Sequence, residues 1–418
     1  MPLTTDRADP APPSGVAVAT APVGSGRGPT VLQVLPALGT GGVERGTIDV
    51  AAAIAASGGR AIVASAGGPL VRELERAGAT HVTLPLDRKN PFVIRANAKR
   101  LAVLIDRYAV DIVHARSRAP AWSARSAAEA TGAHFVTTFH GTHSHGSWAK
   151  RRYNAIMAKG ERVIAVSRFI AEHAWSVYGV PAERLRIIPR GIDLRRFDPQ
   201  TVSPERMIAL AREWRLPDGV PVVMLPGRIS RWKGHDVLID AVRRLGGREL
   251  LCVFVGPVEP GDNYVAELEK KIMAAGLGGR VQMVGDCRDM PAAYMLADVV
   301  VAPSTQPEAF GRVPVEGQAM GRPVIATDHG GARETVVQGE TGLLVPPGDA
   351  VALADALADA LDLDAVDRLA LGERAIAHVR PRFDLRVMCA RTLSVYDELL
   401  GPEAAVAPAS AAEASIAA

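Results

Sequence analysis

The 418-residue sequence is short of cysteine and of long apolar runs, and both shortages exclude whole classes of protein. Its three cysteines, Cys252, Cys287 and Cys389, lie far apart and form no CxxC pair. This spacing argues against a disulfide scaffold or a zinc site and favours a reducing compartment. No apolar run approaches the roughly 20 residues of a membrane-spanning helix. The N-terminus has no basic segment followed by an apolar stretch, so the sequence predicts no secretory signal.

Aromatic residues are also scarce, at 5% of the chain against 48% for all hydrophobic residues. Alanine, glycine and valine therefore carry much of the apolar content, and cores of this kind suit parallel sheets that are covered by helices. A chain of this length is too long for one compact core, so we expect two domains.

Short apolar segments alternate with helix-like patterns, and the whole rhythm occurs twice. This alternation predicts an α/β fold with two Rossmann-like domains, each a doubly wound parallel sheet, that face each other across a cleft. Ligands bind at the carboxyl ends of the strands in such sheets. The predicted strands are 31–35, 61–64, 111–114, 134–139, 162–166 and 185–188, then 221–225, 250–255, 281–284, 299–301, 323–326 and 342–345.

The same pattern sets the predicted domain boundaries. Residues 1–28, rich in proline, glycine and alanine, predict a disordered leader, and residues 402–418, mostly alanine, predict a disordered tail. Between them we place a first domain at 29–199, a second domain at 200–382 and a final helix at 383–401.

Positive charge is concentrated in the first half of the chain. Residues 31–199 hold 24 Lys and Arg against 13 Asp and Glu, whereas residues 200–418 hold 22 against 30. The asymmetry favours an anionic substrate, an anionic membrane surface or both, and basic clusters at 88–89, 99–100 and 150–152 motivate the membrane hypothesis. The alternative is that the two domains merely complement each other electrostatically.

Two loops have the composition of phosphate-binding segments. Gly41 and Gly42 end a glycine-rich turn between a strand and a helix, where a backbone can approach an anion closely, although such a turn can also serve helix packing alone. Arg228 and Lys233 lie five residues apart in a loop after a strand, a spacing that suits a diphosphate. Lysine is rare in this chain, which makes Lys233 informative, but two solvated surface charges remain the alternative.

Acidic and histidine residues follow two further strands. Glu308 and Glu316 flank a bend at Gly311, and carboxylates there could accept hydrogen bonds from sugar or ribose hydroxyls or simply stabilise a helix N-terminus. His140 ends a strand of the first half and would point into the cleft, unless it is structural. His143 and His145 complete an HxxHxH pattern, which we do not interpret as a metal site because no Cys or carboxylate cluster accompanies it.

Taken together, these residues resemble the retaining glycosyltransferases of family four, also called group one, which have the GT-B fold. The resemblance spans about residues 30–400. Its most specific part is the E-x7-E motif from Glu308 to Glu316, and the segments 321–327 and 329–331 reinforce it.

The resemblance implies a role for each matching residue. Arg228 and Lys233 would neutralise the diphosphate leaving group, and Glu316 would hold the ribose hydroxyls. Glu308 would contact hydroxyls of the donor sugar and His140 the transferred sugar, which makes these two the catalytic candidates. The other donor-binding candidates are Phe310, Gly311 and Arg312, together with Gly41 and Gly42, which would lie near the donor phosphates or the acceptor.

The resemblance also carries expectations about cofactors and packing. Family members need no divalent metal, so it implies no cofactor and no metal ligands. It implies that the final helix packs back on the first domain. The chain departs from the pattern at Arg190, where many relatives have asparagine, and at Gly317-Gln318 after the second glutamate.

We therefore expect an enzyme that transfers a hexose-type sugar from a nucleoside-diphosphate sugar to a glycan or lipid-linked acceptor of the lipopolysaccharide or cell-envelope type, with retention of configuration. The alternatives are a nucleotide-sugar epimerase of the same fold and a catalytically silent nucleotide-sugar-binding protein. We expect a cytoplasmic protein that binds no nucleic acid, with peripheral contact with the inner face of an anionic membrane as a further hypothesis.

Overall fold

A computed structural model describes residues 28–142, 146–258, 261 and 263–401. The predicted leader and tail therefore lie outside the described residues, except for residue 28, and so do His143 and His145. Two separate sheets dominate the structure. The first has seven strands in the order β3-β2-β1-β4-β5-β6-β7, and the second has six in the order β10-β9-β8-β11-β12-β13. Every strand pair is parallel, so the predicted fold class is confirmed.

The first sheet and its helices follow the strand–helix alternation closely. Its strands are β1 (Thr30–Val34), β2 (Arg60–Ser65), β3 (Thr80–Thr83), β4 (Ile112–Ala115), β5 (His134–Phe139), β6 (Arg162–Ala165) and β7 (Leu185–Ile187). Its helices are α1 (Gly42–Ala56), α2 (Val71–Arg76), α3 (Pro91–Tyr108), α4 (Arg118–Thr131), α5 (Trp148–Asn154) and α6 (Arg168–Tyr178).

The second sheet repeats the arrangement. Its strands are β8 (Val222–Pro226), β9 (Leu251–Val255), β10 (Val281–Gly285), β11 (Val299–Ala302), β12 (Val324–Thr327) and β13 (Leu343–Val345). Its helices are α7 (Pro204–Glu213), α8 (His235–Arg244), α9 (Tyr264–Ala274), α10 (Met290–Leu296), α11 (Arg312–Ala319), α12 (Ala332–Thr335), α13 (Ala350–Asp362) and α14 (Ala365–Phe383). A last helix, α15 (Leu385–Leu400), follows.

Small aliphatic residues fill the core on both faces of each sheet. Strand β1 and strand β8 are buried along their whole length, because helices cover both sides of a parallel sheet. Cys252 and Cys389 are buried, Cys287 is partly buried, and all three are free thiols. Burial raises the pKa of the Cys389 thiol to about 12, so it behaves as an apolar side chain.

The chain passes between the domains twice at one place. The backbone N–H of Ile192 donates to the carbonyl of Phe383, and the N–H of Leu385 donates back to the carbonyl of Ile192, each at 2.9 Å. Ile192 and Phe197 pack in the core around the second sheet, although the sequence assigned them to the first domain. Ile188, directly after β7, still packs in a core cluster of the first domain, so the change from one core to the other lies between Ile188 and Ile192.

The helix α15 lies on the first domain. Val395 and Tyr396 pack in a cluster with Val31 and Ile48 of β1 and α1. The Tyr396 hydroxyl lies 2.7 Å from Nδ1 of the buried His114 on β4. Among the described residues, no helix is long and apolar enough to cross a membrane.

Candidate functional site

The acidic loop between β11 and α11 lies at the carboxyl edge of the second sheet and meets the basic loop that follows β8. The Lys233 ammonium lies 2.8 Å from Oε1 of Glu308, and the Ser304 hydroxyl donates to the same oxygen at 2.6 Å. Both charged side chains are largely buried, at 13% and 17% exposed. Burial alone would raise the pKa of Glu308, but Lys233, Ser304 and His329 outweigh it and lower that pKa. Glu308 is therefore an ionised acceptor of hydrogen bonds.

The second glutamate of the motif is held from two sides. Glu316 lies in the second turn of α11 and is 9% exposed. Its Oε1 accepts from Nη2 of Arg312 at 3.0 Å, and its Oε2 accepts from the hydroxyl of Tyr294 at 2.8 Å. Burial and Glu316 raise the pKa of Tyr294 well above its usual value, so this hydroxyl keeps its proton and donates. Each carboxylate oxygen retains a lone pair for a ligand hydroxyl.

The backbone between the two glutamates turns sharply at a glycine. Gly311 has φ +85° and is the N-cap of α11, a left-handed conformation that favours glycine. The ring of Phe310 is buried edge-on against Phe383 at 5.4 Å, so only its backbone can meet a ligand. Gly331 passes so close that a Cβ there would lie 2.5 Å from Phe310. This packing fixes the amides at the start of α11, where helix N-termini favour anions.

Arg228 lies in the same basic loop but is exposed. It follows Gly227, whose φ of +134° bends the chain directly after β8, and Cε of Lys233 lies 3.5 Å from where a Cβ of Gly227 would be. The loop thus presents one exposed arginine and one buried lysine at the same edge of the sheet. Two cations in this position can meet a diphosphate.

In the first domain, an arginine connects the glycine turn to the candidate histidine. Gly41 is the N-cap of α1 and Gly42 its first residue. Arg190 donates from Nη1 to the carbonyl of Gly42 at 2.6 Å and from Nη2 to Nδ1 of His140 at 3.0 Å. Since a guanidinium can only donate, Nδ1 of His140 is the acceptor and the ring proton is on Nε2.

The two halves of the site meet at Arg312. Its Nη1 lies 3.8 Å from the position that a Cβ on Gly42 would take, while Nη1 of Arg190 lies 2.9 Å from the same point. Nearby, the Ser167 hydroxyl donates to the carbonyl of Ala309 at 2.5 Å across the domains. The structure therefore brings the glycine turn, His140 and the start of α11 to one cleft.

Sequence reasoning missed four side chains: Arg190 and Tyr294, described above, Arg116, which lines a small enclosed space with His140 and Arg190, and Asp49, which is close enough to Arg116 and Arg312 for both to lower its pKa. Arg190 was noted only as a departure, and Tyr294, Arg116 and Asp49 were not considered. Arg116 directly follows β4, and the rule that ligands bind at the carboxyl ends of parallel strands could have identified it. Tyr294 and Asp49 lie on helices and carry no comparable indication. Within the described ranges, no group of three His, Cys, Asp or Glu side chains is placed to hold a metal ion.

Comparison with known families gives a match to each domain. The family described as Glycosyl transferases group 1 matches residues 208–378, and Glycosyltransferase Family 4 matches residues 40–196. Both match the resemblance that the motifs suggested.

Individual relatives agree with the family matches. A D-inositol 3-phosphate glycosyltransferase of Xylanimonas cellulosilytica is 34% identical over 245 residues, 58% of each chain. The lipopolysaccharide core biosynthesis mannosyltransferase LpcC of Rhizobium leguminosarum bv. viciae is 32% identical over 61% of this chain and 67% of its own. The chain spans about half the length of the curated D-inositol 3-phosphate glycosyltransferases that it matches.

Two solved structures have the same architecture over most of the chain. A glycosyltransferase from Rickettsia africae superposes with a TM-score of 0.84 and 39% identity, covering 90% of this chain and 99% of that one. Anabaena HepE in complex with UDP-glucose superposes with a TM-score of 0.76 and 26% identity, covering 88% and 99%.

Proposed function

This chain belongs to the group 1 and family 4 glycosyltransferases, and from that premise we propose that it transfers a hexose-type sugar from a nucleoside-diphosphate sugar to a glycan or lipid-linked acceptor, with retention of configuration. The observation that carries the proposal is the pair of glutamates at the cleft, each held by a cation: Glu308 by Lys233 and Glu316 by Arg312. HepE, which binds UDP-glucose, supports a nucleotide-sugar donor.

On the donor side, protein cations take the place of a metal ion. Arg228 and Lys233 approach the diphosphate from the loop after β8, and the amides at Gly311 and Arg312 approach it from the start of α11. As the bond from the sugar to the phosphate breaks, these groups stabilise the charge that develops on the leaving group. We propose on this basis that the reaction needs no divalent metal.

The two glutamates serve different parts of the donor. Glu316 accepts hydrogen bonds from the ribose hydroxyls while Tyr294 and Arg312 hold it in place. Glu308, ionised and fixed by Lys233 and Ser304, accepts from hydroxyls of the sugar near the reacting carbon. His140 contacts the transferred sugar from the other domain. The leaving phosphate takes the acceptor proton on the same face, which retains the configuration.

For the acceptor, we propose a cell-envelope glycan or lipid-linked glycan of the lipopolysaccharide type. The name of the R. leguminosarum relative supports this class, whereas the inositol phosphate in the other relative's name indicates that acceptors vary. The surface of the first domain also supports it. An open groove of about 550 Å³ between α3 and α4 is lined by apolar residues and by Lys89 and Arg95.

The same surface supports contact with an anionic membrane. Phe92 at the start of α3 is 84% exposed, and Trp148 at the start of α5 is 77% exposed. Both lie beside the basic clusters at 88–89 and 150–152, and the groove between α3 and α4 reaches Tyr153 of α5. Exposed aromatics with flanking cations are the pattern of a monotopic membrane surface. We propose a cytoplasmic protein that touches the inner face of the membrane through this patch.

Thermal denaturation with UDP, GDP and ADP and their common sugars, with and without EDTA, tests the proposal. Stabilisation by one nucleotide that persists in EDTA supports a metal-independent donor site and identifies the base. Turnover of the matching sugar nucleotide with an acceptor extract, followed by proton NMR of the anomeric signal, tests retention. A product epimerised without transfer would favour the epimerase, and nucleotide binding without any turnover would favour the silent binding protein.

A further inference from the structure

Two arginines of the first domain lie beneath its glycine turn without a close carboxylate. Arg116 follows β4 and is 6% exposed, and Arg190 follows β7 and is half-buried. Among the residues that the structure describes, neither guanidinium has a carboxylate within 4 Å, and Nε of Arg116 has no hydrogen-bond partner. From farther away, Glu44 acts on Arg190 and Asp49 acts on both arginines. Within the described part of the chain, Arg190 bonds only neutral acceptors, the Gly42 carbonyl and His140, and a buried charge without a close counter-charge is costly, so this pair calls for an explanation.

Arg312 of the second domain adds a third cation at the same place. Nη1 of Arg190 and Nη1 of Arg312 lie 2.9 and 3.8 Å from one point above Gly42, and Nη2 of Arg116 lies 3.3 Å from the corresponding point at Gly46. Gly42 is partly exposed, so this side of the cluster opens to the cleft. Burial and the two neighbouring arginines lower the pKa of Arg190 to about 9, which reflects the cost of the crowded charge.

We propose that Arg116, Arg190 and Arg312 form an oxyanion site for an anionic group that the acceptor carries, a phosphate or a carboxylate. The inference rests on the proposed function, since it assigns the substrate class of the same cleft. Arg190 and Arg312 are the direct ligands at the open edge beside Gly42. Arg116 acts from below, because the enclosed space that it lines with Arg190 and His140 is about 20 Å³, room for one water molecule.

The arginines that lack a close carboxylate belong to the first domain. This favours the acceptor over the donor as the molecule that carries the anion. The donor diphosphate meets Arg228 and Lys233 of the second domain, whereas Arg116 and Arg190 come from the first. Arg312 already has Glu316 as a partner at 3.0 Å, so the unmatched charge of the cluster is that of the first domain. A dianionic group at its open edge would match Arg116 and Arg190 together.

The test is a titration with inorganic phosphate, followed by calorimetry, after the donor site has been saturated with the nucleoside diphosphate that binds. We expect phosphate to bind under these conditions and Arg190→Asn to weaken that binding at least about tenfold, since each lost charge-assisted hydrogen bond has about that effect. Arg116→Gln should weaken it as well. Affinity for the nucleoside diphosphate, measured in parallel, should fall much less than affinity for phosphate in both variants.

The control is Arg125→Gln on α4, which removes the same charge from an arginine that pairs with Glu129. It should leave phosphate binding as it is. If Arg116→Gln does not fold, the Arg190→Asn variant alone tests the proposal, since Arg190 is the less buried of the two and its replacement disturbs folding less. A parallel titration with acetate in place of phosphate asks whether a carboxylate is also accepted.

Three results would overturn the proposal. Phosphate that binds the free protein but is expelled by the nucleoside diphosphate assigns the arginines to the donor. Binding that is equal in Arg190→Asn and wild type assigns it to an adventitious ion only. No phosphate binding at all leaves the cluster structural. Failure of the proposed function appears separately, as a wild-type protein that binds no nucleotide, and the phosphate titration can still be read on that protein.

Discussion

The ammonium of Lys233 lies 2.8 Å from the carboxylate of Glu308, so this ion pair joins the basic loop and the acidic loop of the second domain. The pair holds the glutamate ionised and places the lysine at the sheet edge. A donor diphosphate that reaches Lys233 must share it with Glu308. The same contact therefore affects stability and donor binding, and the two effects can be measured apart.

Replacing Lys233 with alanine leaves Glu308 charged and largely buried. Losing one partner of such a pair costs about 3 kcal/mol of folding free energy, and the diphosphate loses a cation as well. We expect Lys233→Ala to lower kcat/KM at least about 100-fold, as expected for the loss of a charge-assisted contact of this strength. Steady-state kinetics against Lys270→Ala, an exposed lysine on α9, provides the comparison.

The pH dependence of stability should separate Lys233→Ala from wild type. In wild type, folding lowers the pKa of Glu308. Its ionised carboxylate therefore adds to the free energy of unfolding above the pKa of the unfolded state, and this stabilisation is lost as pH falls through the pKa of the folded state. Without Lys233, burial raises the pKa of Glu308. Its contribution to folding stability is then present at low pH, where the carboxyl is protonated, and is lost as pH rises. Urea denaturation at pH 7 and pH 4.5 should show the difference between the two proteins shrinking in acid. A constant difference would contradict this account.

Tyr294 should position Glu316 without touching the reacting atoms. Tyr294→Phe removes a buried hydroxyl that donates to Oε2 of Glu316 at 2.8 Å, which should cost about 1–2 kcal/mol of stability. We expect KM for the donor to rise roughly tenfold with kcat little changed, because uniform binding is lost. Tyr178→Phe is the control, since within the described part of the chain its buried hydroxyl has no hydrogen-bond partner. A fall in kcat alone would contradict the assignment.

Much of this fold could be predicted from the sequence because its strands are short, apolar and separated by glycine-rich turns. The final helix predicted at 383–401 contains α15, which Asp384 caps at its start and Gly401 ends. The apolar periodicity of the sequence does not predict helices α3 and α4. In α4 the buried face is built from alanines, Pro120 and Ser123, so it has no large apolar residues that would mark the helix in the sequence.

Residues of the candidate site could be predicted only where a recognisable motif directly follows the end of a strand. Glu308 and Glu316 lie in the segment that follows β11 and could be located from sequence. The partners of these residues depend on contacts between distant segments. Arg190 reaches both Gly42 and His140, and that convergence follows from the order of strands in the first sheet, which composition does not specify.

Asp49 should make the first domain more stable in mild acid. Burial raises the pKa of Asp49 to about 6 against the opposing effects of Arg45, Arg312 and Arg116. A raised pKa contributes stability that is present below the unfolded value and is lost as pH rises through about 6. We expect the advantage of Asp49→Asn over wild type to grow by about 3 kcal/mol between pH 4 and pH 7. Urea denaturation of both proteins across this pH range measures how the free energy of unfolding changes with pH. The exposed Asp106→Asn variant is the control.

Glu334 should hold the two domains in the arrangement described. Its carboxylate accepts from the backbone N–H groups of Arg168 and Phe169 at the start of α6, both at 2.8 Å. Removing two charge-assisted hydrogen bonds at a helix N-terminus should weaken domain closure by about 2 kcal/mol. We expect Glu334→Ala to enlarge the radius of gyration in small-angle scattering and to raise KM for donor and acceptor together. Glu340→Ala, an exposed glutamate of the same domain, should change neither.

The last prediction concerns the proposed membrane patch. Its exposed aromatic rings and its basic clusters should bind an anionic lipid surface together. Flotation with vesicles that contain anionic lipid should carry wild type upward at low salt and release it as salt rises, since each surface cation contributes about 1 kcal/mol that salt screens. Phe92→Ser with Trp148→Ser should abolish flotation by removing the two most exposed rings of the patch. Trp175→Ser removes an exposed ring on α6 and serves as the control. A wild-type protein that stays in solution with anionic vesicles at low salt would exclude this patch as a membrane surface, while donor binding and transfer to a soluble acceptor would be unaffected.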